Sequence, residues 1–342
     1  MNPVIAFIKL IRLPNLLIIV LTQYAIRYGI MYPILLSVSD DVEIGFRMTE
    51  LDFFLLSLST VMIAAAGYII NDYFDVKVDR VNRPNSIIVG KYIKRRVAMG
   101  AHIVISSIAV LIAAYLAYKV GNWKLILIQL ASAGALWYYS VLFKKQVLVG
   151  NMVVAILAAL VPFVAGFYEL LLQYINIDDT ANNLLFFLPP ETPFDEVQHV
   201  LMEIFRNMLY WVLGFSLFAF ISTMVREIIK DIEDYEGDKK YFSNTLPVVH
   251  GKLKAKRVAQ AIAMVMIILI AYLQYIQLQA KDMASFMYFL FAVQVPLIFV
   301  VSKLNAAKEK TDFTKLSRYM KLIMLMGIVY TAFFYYSTVN NI

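Results

Sequence analysis

The chain has 342 residues, of which 61% are hydrophobic and 16% charged, with a mean hydropathy of +0.71. Soluble domains average about 45–50% apolar and about 25% charged residues, so this balance excludes an ordinary soluble domain and marks an integral membrane protein. The absence of cysteine excludes disulfides, thiolate catalysis and cysteine-ligated metal or iron–sulfur centres, and the formal charge of +7 reads as basic loops at a membrane rather than as a nucleic-acid surface.

Along the chain, Lys9 and Arg12 precede a first apolar run that is too long for a secretory signal and lacks a small-residue cleavage site, so it reads as a membrane helix. Apolar runs between charged or turn-rich segments predict nine membrane helices, at about 13–38, 52–71, 97–118, 123–143, 147–172, 206–230, 257–280, 283–302 and 319–339. With alternate loops assigned to opposite sides, 24 of the 31 Lys and Arg fall on the side of the N-terminus and five on the other. That asymmetry predicts a cell-membrane protein with its N-terminus in the cytoplasm and its C-terminus outside. The external loops are acidic: 39–52 carries Asp40, Asp41, Glu43, Glu50 and Asp52, and 173–205 should be irregular or partly helical. The expected fold is all-α, one polytopic domain over 1–342 with helices around a central cavity, arranged as two four-helix units plus a ninth helix.

Two acidic segments stand out, both on the cytoplasmic side of this topology. "NDYFDVKVDRVNRP" opens the loop at 71–96 with Asn71, Asp72, Asp75 and Asp79, and "REIIKDIEDYEGDKKYFSNTLP" opens the loop at 226–256 with Asp231, Asp234 and Asp238. Both trios have intervals of three and four, which puts each on one helical face. Carboxylates gathered on one face at a membrane boundary repel one another and call for a cation, and hard oxygen ligands suit magnesium shared with phosphate. Asn71 lies one turn before Asp75 and adds a neutral oxygen. Nearby basic residues point to the anion: Arg83 and Lys91 follow the first trio, Arg226 and Lys230 adjoin the second, and Lys144 ends the fourth helix near Tyr139. These five cations are the expected diphosphate ligands. His102, His199 and His250 show no ligand spacing.

These segments resemble the UbiA-type intramembrane prenyltransferases. "NDYFDVKVDRVNRP" is similar to their NDxxDxxxD signature, "DIEDYEGDKKYFSNTLP" to their second aspartate region, "YSVLFKK" at 139–145 to their tyrosine-to-lysine stretch, and "IRLPN" at 11–15 to the start of their first helix. The resemblance implies magnesium-dependent transfer of an isoprenyl group from a prenyl diphosphate to a lipophilic acceptor in the bilayer, with no nucleic acid and no obligate protein partner. Asp72, Asp75, Asp79, Asp234 and Asp238 would be the catalytic residues, and Arg12, Asn15 and Tyr139 would contact substrate. Within the family the chain is most similar to the branch that geranylgeranylates geranylgeranylglyceryl phosphate, with an aromatic acceptor as the alternative. It departs after Asn82-Arg83-Pro84, where a second basic–proline pair is replaced by "NSIIVGKYIKRR".

Two other classes fit less well. A cation transporter would carry its acids near the bilayer midplane on broken helices, not at helix ends beside basic loops. A CDP-alcohol phosphotransferase would need a glycine after the second aspartate, where Val76 and Lys77 follow Asp75.

Overall fold

The computed structural model describes residues 2–36 and 44–339, so Asp40, Asp41 and Glu43 of the first external loop lie outside the described residues. Each apolar run is helical, as a backbone in hydrocarbon must satisfy its own hydrogen bonds. A short helix α1 (Pro3–Leu10), capped by Asn2, leads through Arg12 into α2 (Leu13–Tyr24); a π-helical segment, Ala25–Met31, carries the same span on into α3 (Tyr32–Leu36). Then come α4 (Glu50–Asn82), α5 (Arg95–Val120), α6 (Ile126–Val141), α7 (Val149–Ile175), α8 (Ile177–Leu185), α9 (Phe194–Glu233), α10 (Tyr235–Lys240), α11 (Leu246–His250) and α12 (Lys252–Gln279). The chain ends with α13 (Met283–Tyr288), a second π-helical segment, α14 (Val295–Ala306) and α15 (Lys310–Val339).

Eight helical stretches among the described residues are long and apolar enough to cross a membrane. The remaining expected span, 123–143, is α-helical only over the 16 residues of α6, a rise of about 24 Å against a hydrocarbon core of about 30 Å. Two expected loops are shorter than the sequence suggested. α4 runs through the first acidic segment to Asn82 rather than stopping near 71, and α9 begins at Phe194 and runs to Glu233. The segment 173–205, expected to be external, is thus mostly helix, supplied by the end of α7, by α8 and by the start of α9. The physical reason is common to both: a helix does not need to end where lipid ends, because intrahelical bonds persist in water and charged side chains are solvated there.

α4 packs along α5, and α7 along α9, where Gly166 lets the backbone approach so closely that an added Cβ would lie 2.3 Å from Val212. One apolar core joins the first span to α7 and α9; a second joins α9 to α12, α14 and α15. α15 closes the bundle against α9 and the outer half of the first span, Ala25–Leu36. An apolar cleft of about 430 Å³ opens between α9, α12 and α15, lined by Trp211, Phe218 and Met266 among others.

Candidate active site

The first trio stands on the last turns of α4. Because the helix is unbroken to Asn82, Asn71, Asp72, Asp75 and Asp79 share one face as the spacing predicts. Two basic side chains from elsewhere in the fold meet that face. Arg12 adopts a left-handed backbone (φ 54°) between α1 and α2, and its Nη2 donates to Asp72 Oδ1 at 2.8 Å while the guanidinium lies 4.9 Å from the centre of the Tyr68 ring. Lys144, on the tight turn after α6, donates to Asp75 and reaches Asn71 Oδ1 at 3.5 Å. Asp79 lies in the field of Asp75, Asp72, Arg83 and Arg12.

The second trio straddles a helix break. α9 ends at Glu233, Asp234 leaves the helical geometry (φ −92°, ψ 8°), and α10 resumes at Tyr235. Asp231 accepts from Asn151 Nδ2 at 2.8 Å, Asp234 Oδ2 from Arg83 Nη2 at 2.8 Å, and Asp238 from the Thr245 hydroxyl at 3.3 Å. Burial, reinforced by the charges of Asp234 and Asp75, pushes the Asp238 carboxyl up to about 7.

A seam fastens the two acidic tips together. The Asn82 side chain donates to the Asp234 carbonyl at 3.2 Å and accepts from the Gly237 N–H at 3.0 Å. Gly237 has to be glycine for this, since an added Cβ would stand 2.3 Å from Asn82 Oδ1. Lys144 sits between the trios, within electrostatic reach of Asp72 and Asp238 as well as bonded to Asp75. Tyr139 faces Glu227, Asp75 and Asp231. The fold therefore brings together six aspartates, Asn71, Arg12, Arg83, Lys144 and Tyr139.

The other expected site residues pair with groups outside the trios. Arg226 Nη1 lies 2.7 Å and Lys230 Nζ 3.1 Å from the carboxylate of Glu227, which is buried between them, although Lys230 stays within electrostatic reach of Asp231. An intrahelical partner one or three residues away is simply the nearest counter-charge. Lys91 is exposed, its ammonium 5.4 Å from the centre of the Tyr92 ring. Asn15 accepts a hydrogen bond from Lys321 Nζ at 2.9 Å. Sequence reasoning missed Asn82, Asn151, Glu227, Gly237, Thr245 and Lys321. Asn82, Glu227, Gly237 and Thr245 lay inside the quoted segments; Asn151 and Lys321 carried no signal that spacing alone could reveal.

Among the described residues no group of three or more carboxylate or imidazole side chains is gathered tightly enough to hold a metal by itself. Instead, Asp234 Oδ1 is buried and accepts no hydrogen bond. That one buried carboxylate oxygen without a donor, on one of two acidic tips that flank a lysine, fits a divalent cation shared with the oxygens of a phosphate ligand.

A model of the UbiA prenyltransferase family matches residues 35–325. The chain belongs to the UbiA prenyltransferase family. It is 29% identical over 280 residues to the digeranylgeranylglyceryl phosphate synthase of Methanosphaera stadtmanae, covering 81% of this chain and 86% of that one. It is 35% identical over 202 residues to the synthase of the same name from Methanothermobacter thermautotrophicus, covering 58% and 57%. Among solved structures it shares its fold with a UbiA homologue from Archaeoglobus fulgidus bound to DMAPP and Mg2+, with a TM-score of 0.52, 18% identity and coverage of 95% and 98%. UbiA membership makes the chain a multi-pass membrane prenyltransferase.

Proposed function

We propose that this chain transfers a geranylgeranyl-type group from its diphosphate to the free hydroxyl of a prenylated glyceryl phosphate, with the aspartate tips as the diphosphate site. The observation that carries the reading is the 2.8 Å contact of Arg83, just past the first tip, with Asp234 of the second, which puts both trios at one end of the bundle around Lys144. The synthase names of its relatives supply the acceptor, and the A. fulgidus homologue supplies the precedent for magnesium.

On this reading Asp72, Asp75, Asp79, Asp231, Asp234, Asp238 and Asn71 would hold magnesium with the diphosphate, and the metal would stabilise the charge of the leaving group. Lys144 and Arg83, now paired to Asp75 and Asp234, exchange those carboxylates for diphosphate oxygens when substrate arrives. The allylic C–O bond breaks and its electron pair leaves with the diphosphate. The acceptor oxygen bonds to the vacated carbon, and its proton is taken up by the released diphosphate. Tyr139 and the surrounding apolar helices keep water from the allylic cation. The excess of Lys and Arg in the loops at this end supports a cytoplasmic N-terminus and active site.

Membranes containing the recombinant protein, given radiolabelled geranylgeranyl diphosphate, Mg2+ and a panel of acceptors, test the assignment. Product is expected with geranylgeranylglyceryl phosphate and not with 4-hydroxybenzoate; product with the aromatic acid alone would overturn it.

A further inference from the structure

The cations that do not face the aspartates converge elsewhere. Arg226 and Lys230 flank the buried Glu227 on α9, and Lys321 of α15 lies within electrostatic reach of Arg226. Arg226 and Lys230 already share that one carboxylate, and Lys321 adds a further positive charge among the membrane helices, where unbalanced charge is costly. Among the described residues Lys321 has no acidic partner; its ammonium is half-buried and donates to the neutral amide of Asn15 on α2. The Nε of Arg226 is buried without an acceptor. This is the opposite imbalance from that of the aspartate tips, about one helical turn away along α9, and it calls for an anion. Its position is specific as well. α15 packs against the outer half of the first span but not extensively along Leu13–Tyr24, so the Lys321–Asn15 bond crosses a gap between the two helices, beside Arg12.

We propose that Lys321 and Arg226 form a second anion site, separate from the diphosphate site, that binds the phosphomonoester of the acceptor lipid. This rests on the glyceryl phosphate reading above. A phosphate held here by charge-assisted hydrogen bonds lies one turn deeper along α9 than Asp231, on the side where the donor's allylic carbon must lie relative to its diphosphate. An acceptor hydroxyl a few bonds from that phosphate can then reach the carbon while its prenyl chain lies among the apolar helices. Arg226 is therefore taken off the donor diphosphate, to which its place beside the second trio had assigned it, while Lys230 stays within reach of Asp231.

The test is steady-state kinetics of K321A, K321Q and K321R in nanodiscs, with donor and acceptor varied separately. K321A should raise the acceptor KM about tenfold or more and the donor KM less than about twofold. K321R should restore the acceptor KM to within about threefold. K321Q keeps a donor for Asn15 without the charge, should behave as K321A, and serves in its place if K321A does not fold. Removing the phosphate from the acceptor should cost wild type at least about tenfold in kcat/KM and K321A much less. A rise in donor KM would assign Lys321 to the diphosphate, and an unchanged acceptor KM would leave it a structural tie; either result overturns the site. Wild-type turnover of glyceryl phosphate lipid is read in the same assay, so failure of the acceptor assignment itself shows separately, as no product with any variant.

Discussion

At the end of the bundle away from the aspartates, the guanidinium of Arg27 is sealed in protein, 1% exposed, with Nη2 2.7 Å from the Met48 carbonyl and 2.9 Å from Glu50. Its faces lie 3.9 Å from the ring centre of Phe46 and 4.6 Å from that of Phe53. Glu169, wholly buried, takes donors from the backbone of Arg47 and Met48, from Gln173 and from Arg27, so both its oxygens are used. The aspartate end is built the other way. Its carboxylates outnumber the cations that meet them, its residues are half-exposed, and Asp234 keeps an oxygen with no donor. Both ends hold charge at a membrane boundary, but one has spent it on closing the fold and the other has left it available. Hydrogen-bond saturation does not separate the two, since Arg27 Nε also lacks an acceptor; what separates them is counter-charge, which Arg27 and Glu169 supply to each other and the aspartates have only in part.

The sharpest way to break this contrast is at the closed end. Arg27→Ala leaves Glu169 buried without its counter-ion and should destabilise the fold by about 3–5 kcal/mol, seen as a large loss of monodisperse protein in detergent, with normal turnover per folded molecule. Turnover lost in step with stability would support a structural knot; turnover lost from well-folded protein would erase the distinction. At the open end the sign reverses. Asp75→Ala or Asp234→Ala should cut the rate at least about a hundredfold through loss of a metal ligand, while the unfolding midpoint changes little because like charges are relieved as an ion pair is lost. Chelation should abolish activity and Mg2+ restore it. Near-normal turnover of both variants would end the claim that these tips are the site.

The smallest effect belongs to the seam. Asn82→Ala should cost about 1–2 kcal/mol in stability for the lost hydrogen bonds, and Gly237→Ala about 1–3 kcal/mol from overpacking against the amide. The double variant should cost less than the sum, because the alanine methyl fills the space the amide leaves; strict additivity in thermal unfolding would show that the two residues do not sense each other.

Much of the open end was legible because its code is periodic. Intervals of three and four put Asp72, Asp75 and Asp79 on one face whether or not the helix boundary was drawn correctly, and Lys144 was found because it ends an apolar run. The boundary itself was missed: α4 continues eleven residues past the expected stop, since hydropathy measures contact with lipid and not the persistence of a helix. The partners of Arg226 and Lys230 were misjudged for a related reason. An intramembrane cation does require an anion, but Glu227 supplied one locally before any ligand had to. Lys321 belongs to no motif, and only the approach of α15 to Asn15 gives it a role. The contacts that join distant segments, Asn82 with Gly237 and Asn151 with Asp231, have no period and so no signature in a single sequence.

The unbroken length of α4 has a further consequence. Its 33 residues form a rod of about 50 Å that is clamped near one end by Glu50 on Arg27 and presents its aspartates at the other. On such a rod each residue advances the azimuth by about 100°, so deleting a single amino acid from its middle would swing Asp72 and Asp75 away from Arg12 and Lys144 without altering any of the four. The rod tolerates changes of side chain along its lipid face far more readily than changes of count, and the interval between Glu50 and Asp72 is as much a part of the candidate site as the carboxylates themselves.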